Sequence, residues 1–359
     1  MVLPLSTKSN AKRRDAIIAV DLGGRTTKAV YLQRKGDKLS LSSYAVMDAP
    51  IYEKSLSSEM LAEHLKALCK TLDARTKNVI LVVGVNDSVV RHAEMPAMPT
   101  DDMRQVLKMN SKNYLQQDLT GYVFDCFITP PKENGTAKPD AKKPAGGVQK
   151  LRVLVGGAKG QLMNDLQEAI KGAGLVADSV MPALLGPINA FELAMPEVFA
   201  KEIVALIDIG FKNTTISILN EGDIALSRVV AIGGDKLTLA LSETMSTSYA
   251  EAEGMKLGMI TEVQPYLEPV IASLGRELRA SIDYFEHQQD KTVAHIFVSG
   301  ATSSSEVIRQ LLQVELLVEC KPWNPTASTE HTLPPQQLAD LDNVAPQLTV
   351  AIGAAVAAF

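Results

Sequence analysis

The sequence predicts an α/β protein made of two homologous halves, with a small α+β module inserted into the first. Three observations carry this. One sequence plan occurs twice, as IIAVDLGGRTTKAVYLQRKGDKLSL at 17–41 and VALIDIGFKNTTISILNEGDIALSR at 204–228. Apolar runs at 16–20, 78–85, 203–209 and 294–298 read as strands buried on both faces. The chain has 359 residues, too many for one core of ordinary size.

The elements follow in order. The strand at 16–20 ends in Asp21-Leu22-Gly23-Gly24, and strand-like runs at 27–32 and 39–46 flank a Lys35-Gly36-Asp37 turn. Met60, Leu61, Leu65, Leu68 and Leu72 have helical spacing over 57–72. Thr100-Asp101-Asp102 reads as the cap of a helix reaching about Leu115. Runs at 123–129 and 151–156 read as paired strands around PPKENGTAKPDAKKPAGG, which has no apolar content to bury and is expected to be mobile. A helix at 161–173 stops at Gly174. After the second meander, 237–286 carries helical periodicity, 294–298 is a strand and 307–317 a helix. Pro322, Pro325, Pro334 and Pro335 mark irregular chain, and the small apolar tail (AIGAAVAAF) suits a helix packed tightly on another.

Composition narrows the function. The net charge of -5 gives no bulk attraction to nucleic acid or anionic lipid. No apolar run reaches the ~18–20 residues that cross a bilayer. The start, MVLPLSTKSNAKRRD, reads as a loose polar leader without a secretory pattern. Cys69, Cys126 and Cys320 lie far apart, which fits a reducing cytosol. His64, His92, His287, His295 and His331 have no zinc spacing, and no serine sits in a nucleophile elbow.

The repeat carries the chemistry. In each copy an apolar strand ends in Asp-aliphatic-Gly: Asp21 with Gly23 and Gly24, and Asp208 with Gly210. A glycine after the strand lets backbone approach a polyphosphate, and turn N–H groups and hydroxyls donate to phosphate oxygens. Arg25, Thr26 and Thr27 form the first turn, and Lys212, Asn213, Thr214 and Thr215 the second. Lys28 or Lys212 is placed to neutralise phosphate as a point cation. Asp21 and Asp208 are the metal candidates, each suited to hold Mg²⁺ through water, which that ion sheds reluctantly. Two such turns facing one cleft would grip a nucleotide from both sides.

Further segments add a family resemblance. VVGVNDSVVRHAEMPAMPTDDMRQVLKMNSKNYL lies between the two phosphate-loop segments, and VVAIGGDKLTLAL, Ala252-Glu253-Gly254-Met255-Lys256, RASIDYF, Ser299-Gly300-Ala301-Thr302, Asn324-Pro325 and Ala351-Ile352-Gly353 follow the second, in a recognisable order. The chain resembles the PilM proteins of type IV pilus assembly, relatives of the division protein FtsA within the actin-like ATPase superfamily. The implied fold is the duplicated actin/Hsp70/hexokinase-like (RNase H-like) architecture with an inserted 1C-type subdomain. The expected layout is a leader at 1–14, then domain 1A from 15–90, 156–200 and 346–359. The insert 1C spans 91–155, with a loop at 130–147. Domain 2A comprises 201–240 and 290–345, and subdomain 2B 241–289.

The resemblance also implies roles. Gly233, Gly234 and Lys236 would lie at the ribose–phosphate region, Glu253 and Lys256 near ribose and base, and Gly300, Ala301 and Thr302 beside adenine. The implied cofactors are ATP and Mg²⁺. The implied partner is the N-terminal cytoplasmic peptide of a PilN-like membrane protein, held between the first domain and the insert, alongside other pilus platform components. Membrane attachment would be indirect, oligomers are possible, and nucleic acid is not expected. Two departures stand out: Ala301 replaces a customary glycine, and Arg25 stands where small serines are common, either binding phosphate or blocking it. Asp87 and Asn189 are the positional candidates for orienting an attacking water, but each has a plain turn or cap reading, so hydrolysis is expected to be slow or absent. Met95, Met98, Met103 and Met109 fit core packing or a peptide groove. The alternatives are a small-molecule kinase, although neither a catalytic acid in a substrate loop nor a sugar-binding segment is evident, and a filament-forming FtsA- or actin-like protein, although AIGAAVAAF lacks a basic face.

Overall fold

The computed structural model describes residues 14–50, 57–129 and 149–359. The expected leader, apart from residue 14, and the expected mobile loop at 130–147 lie outside the described residues.

The strands are β1 (Ala16–Leu22), β2 (Thr26–Lys35), β3 (Lys38–Asp48), β4 (Asn78–Val83), β5 (Ser88–Pro96), β6 (Tyr122–Ile128), β7 (Lys150–Lys159), β8 (Val176–Pro182), β9 (Ile203–Ile209), β10 (Thr214–Asn220), β11 (Asp223–Val230), β12 (His295–Ser299), β13 (Cys320–Pro322) and β14 (Glu330–His331). The helices that position the site are α1 (Ser58–Leu72), α2 (Thr100–Leu115), α3 (Gly160–Gly172), α4 (Leu185–Ala194), α5 (Pro196–Lys201), α6 (Gly234–Met245), α7 (Tyr249–Gly258), α8 (Ile260–Gln289), α9 (Glu306–Leu316), α10 (Pro335–Val344) and α11 (Thr349–Val356).

The repeat is a repeat of topology. One sheet runs β14-β3-β2-β1-β4-β8 and the other β11-β10-β9-β12-β13. In both, an antiparallel meander leads into two parallel strands: β1 pairs with β2 and then β4, β9 with β10 and then β12. The insert forms a third sheet, β5-β7-β6, with α2 against one face through Met103, Leu107 and Leu115. Met95 and Met103 are fully buried in that core, Met98 packs against it, and Met109 is exposed.

Alternation along the strands sets the layers. Ile17 and Ala19 of β1, and Val204 and Leu206 of β9, face one shared core, into which α4 and α11 also pack. Ile18 and Val20 face outward onto α1 and α3, and Ala205, Ile207 and Ile209 face α6 to α9. The tail is indeed a tightly packed helix. A Cβ on Gly353 of α11 would fall 1.8 Å from the carbonyl oxygen of Gly186 in α4, so the two backbones touch directly.

Three local expectations change. Pro99 occupies the N-cap of α2 and no side chain bonds there, so Thr100 is the first residue of the helix rather than its cap. Asn110 breaks the helical dihedrals within α2. Pro334 and Pro335 do not mark irregular chain: they open α10, where a missing N–H costs nothing in the first turn.

Replacing Gly353 with Ala should therefore lower the unfolding free energy by about 3 kcal/mol, since neither helix backbone can yield. A Cβ on Gly254 of α7 meets nothing within 4 Å, so Gly254→Ala should raise it by roughly 0.5–1 kcal/mol. Urea denaturation of both variants checks the pair.

Candidate functional site

Strand parity builds the site. Asp21 continues the Ile17–Ala19 face of β1, and Asp208 the Val204–Leu206 face of β9. Each carboxylate thus emerges on the inner face of its sheet, and the two lie close enough for the charge of Asp21 to act on Asp208. Lys28, directly across β2 from Asp21, brings its ammonium 3.8 Å from the Asp21 carboxylate. Thr215 is the equivalent residue across from Asp208. Thr26 and Asn213 share this inner parity with Lys28 and Thr215.

Thr27 and Thr214 do not join them. Parity turns both to the outer faces, where the Thr27 hydroxyl pairs with His64 Nε2 at 2.8 Å and the Thr214 hydroxyl donates to the Ile232 carbonyl at 2.7 Å. Their expected hydroxyl contacts to phosphate are corrected accordingly: these side chains brace the turns from behind.

Burial governs the two acids. It raises the Asp21 carboxyl above its ordinary range, against the pull of Lys28. Burial pushes Asp208 up to about 6, with the charge of Asp21 adding to it. A 2.8 Å hydrogen bond donated by the Ser299 hydroxyl, and the charge of Lys28, oppose the rise. Ser299 reaches Asp208 because β12 pairs in register with β9, a neighbour that no sequence spacing reveals.

The glycines have a more specific reason than access to phosphate. A Cβ on Gly23 would sit 2.5 Å from the Thr26 carbonyl oxygen, and one on Gly210 2.9 Å from that of Asn213. On Gly233 it would sit 2.4 Å from the Phe211 carbonyl oxygen. Gly300 has φ +92 and lies against the Ile209 backbone. These loops are folded onto one another's main chain, and their shape exists because side chains are missing. Gly24, by contrast, meets only side chains of Phe211 and Lys212, at 3.6 Å and beyond.

A polar cluster lies across the cleft from the first loop. Lys256 of α7 is almost wholly buried and donates to Glu253 Oε2 at 2.7 Å, Thr238 Oγ1 at 2.8 Å and the Gly234 carbonyl at 3.2 Å. Burial lowers the Lys256 pKa, partly offset by Glu253. Burial works against the Glu253 carboxylate, yet its bonds from Lys256 and Thr238 and the charges of Lys256 and Arg25 hold its pKa below the usual value. Thr302 borders Gly234, while Ala301 is exposed at the start of a short 3-10 turn. Lys212 is bound to Asp235 at 2.6 Å rather than aimed at the acids, and Asp235 also accepts from Tyr249 at 2.8 Å. Lys236 is exposed. Asp235, Thr238 and Ser299 are the contributors that sequence reasoning missed.

Arg25 lies neither on the acids nor in open solvent. Its guanidinium reaches Glu253 at 3.1 Å and rests 5.7 Å from the centre of the Phe211 ring. Asp87 is a half-buried turn residue paired with Lys159 at 2.7 Å. Asn189 is buried in α4 and donates to the Gly353 carbonyl. It belongs to the helix contact, not the cleft.

The residues present fit a nucleotide with Mg²⁺. Among the described residues no group of three or more His, Cys, Asp or Glu side chains could cage a metal, but Mg²⁺ needs only one or two carboxylates beside water and phosphate. Asp21 and Asp208 would hold it, with Lys28 as the phosphate cation.

Comparison with known proteins decides the family. The model of the type IV pilus assembly protein PilM matches residues 19–359. The chain belongs to the PilM family. A solved structure of a PilM-PilN type IV pilus biogenesis complex superposes with a TM-score of 0.81 at 21% identity, covering 97% of this chain and 99% of that one. The ethanolamine utilization protein EutJ from Carboxydothermus hydrogenoformans gives 0.56 at 15% identity over 97% and 91%. MreB 5 of Spiroplasma citri bound to AMPPNP gives 0.52 at 10% over 95% of each. These likenesses establish the actin-like ATPase fold. The cell division protein FtsA of Bacillus subtilis is 24% identical over 67% of this chain and 57% of its own length, so the chain spans little more than half of that relative. No described helix is long and apolar enough to cross a membrane.

Because folding raises the Asp208 pKa, the folded state holds that proton more tightly than the unfolded one. The nucleotide-free protein should lose stability as pH rises from near 4 to about 6, then level off. Asp208→Asn should therefore be more stable than the parent at pH 7.5, by on the order of 2 kcal/mol, and no more stable at pH 4. Denaturant titrations at the two pH values check this.

Proposed function

We propose that this PilM-family protein is an ATP-binding scaffold of type IV pilus, or related type II secretion, assembly. In this reading ATP with Mg²⁺ lies between the two loops and holds the halves together, with slow turnover or none. The observation that supports it best is the convergence of Asp21, Asp208 and Lys28 on one buried inner face. The nucleotide-bound MreB 5 of the same fold supports it further.

The second part of the proposal is the partner. The chain would hold the N-terminal cytoplasmic peptide of a PilN-like membrane protein where the inserted sheet meets the first body. The insert is fixed there by burial of Val90 and Leu154 in the shared core. His92 also ties the insert to the second half, through the Ile224 carbonyl of β11 at 2.7 Å. Attachment to the inner membrane would follow from the partner.

Two measurements test this. Calorimetric titration of ATP–Mg²⁺ should give an affinity that Asp208→Ala weakens roughly ten- to a hundredfold, the range for a carboxylate acting through metal-bound water. The affinity should also fall as pH drops through about 6, where Asp208 takes up a proton. Synthetic N-terminal peptides of the PilN-like protein should be captured in pulldowns, more tightly with ATP–Mg²⁺ present. Unchanged nucleotide affinity in the alanine variant removes the two-loop site. Absence of peptide capture, with phosphorylation of a small substrate, replaces the scaffold by a kinase.

A further inference from the structure

Resting on that reading of the cleft, we propose that Arg25 and Glu253 form a latch across its mouth, which a polyphosphate opens by drawing off Arg25. Arg25 projects from the tip of the first loop, between β1 and β2. Glu253 belongs to α7, which packs on α6 and α8 in the second half. Their 3.1 Å ion pair therefore joins the two halves directly.

The two ends of the latch differ. Glu253 is fixed: its side chain is 13% exposed and its other oxygen is held by Lys256 and Thr238. Arg25 is the movable end, with a side chain 41% exposed and a guanidinium supported by Glu253 and the Phe211 ring. The second loop has the same cation, ring and acid, but within its own half: Lys212 aligns with Arg25, lies 5.1 Å from the same ring and is paired with Asp235. Both loop-tip cations are thus neutralised by acids of α6 and α7, while Asp21, Asp208 and Lys28 lie deeper. A triphosphate seated on the deep groups brings more negative charge to Arg25 than one carboxylate does, and a guanidinium binds phosphate bidentately. Its departure frees one oxygen of Glu253 inside the cleft. Adenosine carries no such charge and must enter against the closed pair.

An exposed ion pair with one ring contact accounts for about a tenfold effect. Stopped-flow association of a fluorescent adenosine analogue should accelerate about tenfold in Arg25→Ser and in Glu253→Gln. The swapped variant Arg25→Glu/Glu253→Arg should return towards the parent rate. Arg25→Ser should also narrow the preference for ATP–Mg²⁺ over adenosine about tenfold, whereas Glu253→Gln should not, because it leaves Arg25 available to phosphate. Rates within twofold of the parent in both single variants overturn the latch. So does an unchanged ATP preference in Arg25→Ser.

A second readout does not depend on nucleotide binding. Spin labels at exposed Met60 of α1 and exposed Leu257 of α7 report cleft width in the nucleotide-free full chain. Arg25→Ser should lengthen or broaden that distance, and an unaltered distribution overturns the latch. If the parent binds no ATP–Mg²⁺ but this distance still shifts, the Arg25–Glu253 closure stands, while the nucleotide reading and the opening by polyphosphate both fail.

Discussion

Two carboxylates buried at the ends of apolar strands, facing one another between two sheets, are the constraint around which the molecule is arranged. Burial weakens the hydration of both, so each acid is held above its ordinary titration range. Lys28 and the Ser299 hydroxyl offset part of that cost. A fold that only needed stability would place apolar residues at these positions, as it does two and four residues earlier on the same strand faces. The protein instead keeps two acids there, and in the proposed function a cation and phosphate would offset their cost. This is the usual trade between stability and function at a binding centre.

The surrounding loops follow from that arrangement. Gly23, Gly210, Gly233 and Gly300 are required because the loops fold against main chain, of their own turn or of the neighbouring one. The α4–α11 contact at Gly186 and Gly353 works in the same way at the centre of the molecule, bringing the sheets' inner helices close enough for one continuous core. Polar side chains then divide by parity. Those on inner faces meet the cleft, and those on outer faces, such as Thr27 and Thr214, tie strands to the structure behind them.

Much of this was legible in the sequence. The duplicated Asp-aliphatic-Gly turn gave the two halves, and the helix ending at Leu72 was readable from its 3.6-residue apolar period. The outward direction of Thr27 and Thr214 was also present in the strand alternation, since each shares parity with residues of the outer cores. Other features left no local signal. The helix at Pro335–Val344 begins with prolines that look like breakers, and β14 is two residues long, held by pairing to β3. Ser299, Asp235 and Thr238 reach the cleft through register and helix packing, which depend on residues far away in the chain.

The sequence by itself determined the fold class, the duplication and the identity of the two acids, because strand periodicity and a repeated turn are local patterns. Tertiary structure alone decided what the cations do. Arg25, Lys28 and Lys212 all sit in phosphate-loop segments and are equally plausible phosphate ligands on paper. Only Lys28 lies beside the deep acids, opposite Asp21 on a paired strand. Arg25 and Lys212 are held by Glu253 and Asp235 on α7 and α6. A charge is assigned by what surrounds it in space, and those acids lie more than two hundred residues from Arg25 and about twenty from Lys212 in the chain.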